Sequence, residues 1–211
     1  MTSLAAAPLS RIAARGRPLE DPRCAGCAHL ALLRAIRRAG LVVRGGLGCE
    51  APADAARGTP SGRVARLAGA AEALANAETL VGESRAVALL AIADRGPERM
   101  GAVARALRSA GTRVLEVPPD ASAPEAERLV LEALSRVPTA LVALAGCARG
   151  APRRAPLAID PARCNRCGSC LSIGCVALAD PGGDAIEIDV ASCTGCGLCA
   201  PLCRAGALRR P

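Results

Sequence analysis

Ile159-Asp160-Pro161-Ala162-Arg163-Cys164-Asn165-Arg166-Cys167-Gly168-Ser169-Cys170 and Ile188-Asp189-Val190-Ala191-Ser192-Cys193-Thr194-Gly195-Cys196-Gly197-Leu198-Cys199 are two copies of one pattern, 29 residues apart. The shared form is Ile-Asp-x-x-x-Cys-x-x-Cys-Gly-x-Cys, and each copy is trailed by one more cysteine, Cys175 and Cys203. Together they hold eight of the chain's twelve cysteines. Thiolates spaced Cys-x-x-Cys-x-x-Cys wrap three corners of a [4Fe-4S] cubane, and where two such triplets occur in tandem the fourth iron is reached by the trailing cysteine of the other copy. The spacing predicts cluster I on Cys164, Cys167, Cys170 and Cys203, and cluster II on Cys175, Cys193, Cys196 and Cys199. A zinc ribbon would use cysteine pairs rather than tandem triplets. A disulfide framework would need an export signal and an oxidising compartment.

The stretch 159–211 resembles a bacterial-type two-cluster ferredoxin domain, which implies a small α+β unit. Two features depart from that family. Val176 and Arg204 follow the trailing cysteines where the family has proline, and four residues separate Cys170 from Cys175. Proline at those places fixes a turn but gives no electron pair to iron, so the ligand set is retained.

The 211 residues suffice for one domain of ordinary size plus a small one. Phe, Tyr, Trp, Lys and Gln are absent, and all 27 basic residues are Arg. That composition follows GC-rich coding, which weakens arginine content as a sign of nucleic-acid binding. The formal charge of +8 shrinks further once clusters are counted. An oxidised cubane with four thiolates carries two net negative charges, so three of them bring the total to roughly +2. No nucleic-acid partner is expected. No apolar run approaches the roughly 18 residues of a membrane span. Residues 1–19 are rich in Ala and Arg without an acid, a composition shared by transit peptides and by frayed termini, and they are read here as a tail. The reduced-thiol chemistry implies a cytoplasmic location.

The tail is placed at 1–22, an α/β region at 23–148 and a Gly/Pro/Arg linker at 149–158. Within the α/β region, Cys24-Ala25-Gly26-Cys27-Ala28-His29 leads into an apolar-periodic helix carrying Leu30, Leu32, Leu33 and Ile36 and stopped by Gly40. A helix start favours thiolate and cluster charge. A strand over Leu41–Arg44 then empties into Gly45-Gly46-Leu47-Gly48-Cys49. Further on the pattern reads helix Val64–Ala77, strand Val87–Ala93, helix Pro97–Ala110, strand Arg113–Val117, helix Pro124–Arg136 and strand Ala140–Ala145. Alternation of this kind argues for a parallel sheet with helical crossovers. Cys49 and Cys147 would then lie beyond the carboxyl ends of strands, where open parallel sheets bind ligands.

This order of landmarks, Cys-Ala-Gly-Cys-Ala-His at 24–29, Gly-Leu-Gly-Cys49, Cys147 after a late strand, and Asp160-Pro-Ala-Arg-Cys164, resembles the C-terminal half of the indolepyruvate:ferredoxin oxidoreductase α subunit, over residues 23–211. In related 2-oxoacid:ferredoxin oxidoreductases, cysteines at such places hold a cluster beside thiamine diphosphate. The resemblance implies a truncated thiamine-diphosphate-domain-like parallel sheet and a third [4Fe-4S] cluster on Cys24, Cys27, Cys49 and Cys147. A zinc site on those four residues, or unpaired core cysteines, are the alternatives. His29 matches the family motif Cys-Pro-Gly-Cys-Pro-His, although a single His is more often structural than catalytic.

The diphosphate anchor differs. Gly82-Glu83-Ser84 stands for the family's Gly-Asp-Ser, and Asp94-Arg95 for its Asp-Asn, with no helix between them and a guanidinium where a hard cation needs oxygen. The expected function is thus an electron-transfer protein or subunit relaying single electrons through up to three [4Fe-4S] clusters, between a redox partner protein and a soluble carrier. The alternative is a catalytic-subunit fragment of a 2-oxoacid:ferredoxin oxidoreductase that needs a partner chain for thiamine diphosphate and Mg²⁺. A remnant with a structural role is the third reading. No catalytic residue is assigned, and the chain alone is expected to bind no thiamine diphosphate.

Overall fold

A computed structural model of the chain describes residues 25–45, 63–84, 87–93, 97–136, 138–144 and 152–211. Cys24, Cys49, Cys147, Asp94 and Arg95 lie outside the described residues.

Five strands, β1 (Val42–Gly45), β2 (Val64–Ala68), β3 (Leu89–Ile92), β4 (Arg113–Val117) and β5 (Thr139–Ala143), form one sheet in the order β1-β2-β3-β5-β4. Every neighbouring pair is parallel. Parallel strands connected by helices are buried on both faces, and the sequence supplies small or branched apolar residues for both. Ala65, Leu67, Leu89, Ala91, Leu141 and Ala143 face one layer. Their alternates Leu90, Ile92, Ala140 and Val142 face the other. The first layer is α1 (His29–Arg38) against α5 (Ala123–Ser135), and the second holds α2 (Ala70–Ala75), α3 (Ala77–Ser84) and α4 (Met100–Ser109). Burial of each large side chain in these layers contributes roughly 1.5–3 kcal/mol.

Local signals set the helix ends. Gly40, at φ +72, lets the chain leave α1, and Ser122 caps α5 by accepting the Glu125 N–H at 3.3 Å, with Pro124 in the first turn. One sequence expectation is corrected: Val64–Ala77 is not a single helix. Val64–Ala68 is strand β2, and helix begins only at Ala70. Val-Ala-Arg-Leu-Ala fits either period, and the open ladders of β1 and β3 on both sides decide for strand. Pro97–Arg99 is a 3₁₀ turn leading into α4 rather than its first α-turn.

The C-terminal domain has no α-helix. Its segments are the 3₁₀ turns Ser169–Ile173 and Ala200–Leu202 and two short antiparallel ladders. β6 (Ala158–Ile159) pairs with β9 (Leu208–Arg209), and β7 (Leu178–Ala179) with β8 (Glu187–Ile188). Leu157, Cys170, Ile186 and Leu208 form its core.

The two parts meet at the carboxyl edge of the parallel sheet. α1 leads into β1 and α5 follows β4, so the starts of both helices sit at that edge. There Leu30 of α1 and Ala123 of α5 pack with Ile173 and Leu202 of the C-terminal domain. β1 and β5 also end at this edge, at Gly45 and Ala143.

Candidate metal centre

The two cysteine copies fold alike because each opens with the same aspartate turn. Asp160 accepts the Ala162 N–H at 3.1 Å with its side chain and the Cys164 N–H at 3.0 Å with its carbonyl. Asp189 does the same for Ala191 and Cys193, at 3.0 and 2.9 Å. Asp and Asn favour such turns because their side chains accept from the backbone two residues on. Glycine in Cys-Gly-x-Cys is required for the same reason in both copies: Gly168 and Gly197 lie at φ +68 and +84.

The ladders then exchange the ends of the copies. β7, which follows Cys175 in the first copy, pairs with β8 at the start of the second; β9, which follows Cys203, pairs with β6 at the start of the first. Matching bonds lock the exchange, Asp189 N–H to the Ala177 carbonyl and Asp160 N–H to the Ala207 carbonyl, both at 2.9 Å. As a result Cys175 lines one cavity with Cys193 and Cys196, while Cys203 packs in one core with Cys170. Cys164 packs in the same core as Cys170 and Cys203. Cys199 is close to Cys196 and Cys175 on one side and to Cys170 on the other, so the two thiol groups adjoin.

These thiols are electrostatically crowded. Burial, and then neighbouring cysteines, push Cys199 up to about 12 and Cys170 up to about 11, and burial raises Cys175. Cys167 runs the other way, held below its ordinary value by the Ser169 hydroxyl at 3.4 Å and the Ser169 N–H. Four neighbouring sulfurs, several of them partly or fully buried, can all be thiolates only around a positive centre, which is the chemistry of a thiolate-ligated iron core. A peptide N–H already points at sulfur: Ala207 donates to Cys203 Sγ at 3.2 Å. A small cavity lies among Cys175, Cys193, Cys196 and Cys199, walled by Leu30 and Ile173. Among the described residues no three His, Cys, Asp or Glu side chains close on one point as a single ion demands. A tetrahedral zinc would draw thiolate sulfurs to roughly 3.8 Å from one another, from Zn–S bonds of about 2.3 Å, whereas a four-iron core holds them further apart. A donor set made only of thiols, in two groups that adjoin, is the chemistry of a thiolate-ligated cluster. None of the eight cysteines of this domain is in a disulfide.

Of the remaining cysteines, Cys27 is half-buried and packs against the same apolar group as Cys175 and Cys199. Its expected companions Cys24, Cys49 and Cys147 lie outside the described residues. Glu83 is in the last turn of α3, and its carboxylate meets Arg66 Nε at 3.4 Å.

Several residues at the centre escape a reading of the cysteines alone. Gly26 packs against Thr194, and Gly195 against the carbonyls of Arg154 and Ala155. Arg34 reaches Ser172 from α1. Only the Gly195 position carried a signal: it corresponds to Arg166 in the other copy, both have positive φ, and only the second copy uses glycine.

The family model for the 4Fe-4S binding domain (Fer4) matches residues 186–209, a span that holds Cys193, Cys196, Cys199 and Cys203. Comparison with curated proteins and with solved structures yields no match. The chain is an iron–sulfur protein with at least one [4Fe-4S] cluster and an electron-transfer role, joined to a mixed α/β region with a five-stranded parallel sheet. Among the described residues no helix is long and apolar enough to cross a membrane.

Proposed function

We propose that this chain relays single electrons through two [4Fe-4S] clusters in its C-terminal domain, one on Cys164, Cys167, Cys170 and Cys203 and the other on Cys175, Cys193, Cys196 and Cys199. The observation that carries the reading is the exchange of strand ends, which brings Cys175 into one cavity with Cys193 and Cys196 and Cys203 into one core with Cys170. A bound cluster of this type takes up and releases one electron at a time. The chain's part is to hold the sulfurs, to aim a peptide N–H at one of them and to shield them with Leu30, Ile173 and Leu202. A third cluster on Cys24, Cys27, Cys49 and Cys147 extends the relay, supported by the packing of Cys27 in the same apolar group as Cys175. Its partners are a redox protein on one side and a soluble carrier or oxidoreductase subunit on the other, in the cytoplasm.

Iron analysis of anaerobically purified protein tests this. Two clusters give about eight iron and eight sulfide per chain, and three give about twelve. Cys175→Ser and Cys203→Ser should each remove one cluster's signal and leave the other. If either substitution abolishes both signals, or neither, the exchanged ligand sets are wrong.

A further inference from the structure

We propose that Arg34 of α1 is a positioning residue for the cluster on Cys164, Cys167, Cys170 and Cys203, and that the hydrogen-bonded relay it starts raises that cluster's reduction potential and not its neighbour's. The inference rests on the two-cluster reading above. Arg34 Nε donates to Ser172 Oγ at 2.8 Å, and Ser172 Oγ donates to the Ser169 carbonyl at 2.6 Å. The Ser169 hydroxyl lies 3.4 Å from Cys167 Sγ. Both serines belong to the 3₁₀ turn Ser169–Ile173, which also carries Cys170. A continuous set of contacts therefore leads from a helix of the α/β region to a ligand sulfur.

The repeat supplies its own comparison. Both copies open with the same aspartate turn and share the glycine of Cys-Gly-x-Cys at positive φ. At the positions 29 residues on, however, Leu198 stands where the first copy has Ser169, and Pro201 where it has Ser172. Neither side chain can give or take a hydrogen bond, so the second copy's turn at Ala200–Leu202 cannot build this relay. The two serines, both engaged, thus mark out one cluster of the pair.

The sign follows from charge. A sulfur bound to iron has no proton to give, so the Ser169 hydroxyl is the donor toward Cys167. Adding one electron takes a four-thiolate cluster from two net negative charges to three, and a donor aimed at a ligand sulfur and a buried cation both favour the more negative state. Arg34 is buried, and its partner Glu127 is shared with Arg38, so the group keeps a net positive charge. Breaking the relay therefore lowers the potential of this cluster and leaves the other where it was. Because the cation belongs to α1, the potential also answers to how the α/β region is seated.

Redox titration of the full-length holoprotein with dithionite and mediators, followed by electron paramagnetic resonance, tests the proposal. Cys203→Ser identifies which midpoint belongs to this cluster. At wild-type iron content, Arg34→Met and Ser172→Ala should each lower that midpoint, by about tenfold in the reduced-to-oxidised equilibrium or about 59 mV for one electron. Combined, they should do no more than Arg34→Met alone, since they break one relay. Glu127→Gln keeps the shape and removes the opposing charge, and it should raise the same midpoint, which a merely structural lesion would not do. Unchanged midpoints at full iron, equal shifts of both clusters, or a fall with Glu127→Gln overturn the proposal. Loss of iron in all three variants assigns Arg34 a structural role only and overturns it too. If Cys203→Ser and Cys175→Ser do not each remove a single signal, the two-cluster assignment has failed and takes this inference with it.

Discussion

Arg34 Nε donates to Ser172 Oγ at 2.8 Å, joining residues 138 positions apart. Arg34 sits in the second turn of α1, only 7% exposed, and its guanidinium also pairs with Glu127 of α5. Ser172 in turn donates to the Ser169 carbonyl at 2.6 Å, in the 3₁₀ turn that carries Cys170. One buried cation thus ties the helical layer of the α/β region to the turn that carries Cys170. Arg34→Met keeps the apolar stem and removes these bonds. Hydrogen bonds to charged groups contribute about 1.5–3 kcal/mol, reduced here because Glu127 is partly solvated. Stability should fall by about 1–2 kcal/mol. Urea unfolding checks it, and an unshifted midpoint would count against a structural role for the contact.

Gly195→Ala should be damaging, since Gly195 is buried. Left-handed backbone costs roughly 1–2 kcal/mol for a residue with a Cβ. At Gly195, φ +68, the added carbon would also meet the Arg154 carbonyl oxygen at 2.8 Å and overlap that of Ala155. The strand of chain at 154–155 is held there by the Arg154 N–H to the Thr194 carbonyl at 3.0 Å. Iron content should fall by about four per chain, the content of one cubane. Arg166, in the matching place, tolerates φ +52 and bonds Asp180 at 2.6 Å. Arg166→Gly trades that ion pair for an easier backbone and should leave iron content unchanged.

Alkaline pH should destabilise the metal-free protein. Cys199 and Cys170 have folded values of about 12 and about 11 against an ordinary 9.0, so the folded state keeps protons that the unfolded state gives up. Stability from this source is present below pH 9 and is lost as pH rises through the interval up to those values. Alkylation offers a second readout near neutral pH: Cys167, whose thiol is shifted down, should react before Cys170 and Cys199. Equal alkylation rates in mass spectrometry would show that the metal-free loops do not keep this arrangement.

Acid should act through Asp189. The Ser192 hydroxyl and the Ala191 N–H hold its carboxyl below the ordinary value. A depressed folded value gives stability that is present above the unfolded value near 4 and is lost as pH falls through the folded one. Asp189→Asn should flatten the acid limb of an unfolding-versus-pH curve for the metal-free protein while keeping the turn. An unchanged limb would place the acid sensitivity elsewhere.

Much of this was legible in residues that must do one thing. Eight cysteines at fixed spacing, two Ile-Asp openings and two Cys-Gly-x-Cys glycines leave little choice of local structure. The alternation of apolar segments likewise gave strands β1, β3, β4 and β5 and helices α1, α4 and α5 within a few residues. Val64–Ala68 was not legible because five residues of mixed size fit either period, and only the neighbouring strands decide. The contacts of Gly26 with Thr194, of Gly195 with Ala155 and of Arg34 with Ser172 were invisible for a different reason. They depend on how two separately readable units meet, and nothing in either unit's own pattern encodes the other's surface.

The crossing of β6 with β9 and β7 with β8 makes the C-terminal domain a swapped pair written in one chain. Each copy of the repeat lends its last strand, and the cysteine before it, to the other. Neither copy pairs its own short strands with each other; each finds its strand partner in the other copy. Two separate chains, each holding one copy, could meet the same need only as a symmetric dimer, by the same exchange of ends that relates swapped protomers. The copies differ at the matching position: Gly195 in one lies under the chain at 154–155, while Arg166 in the other binds Asp180.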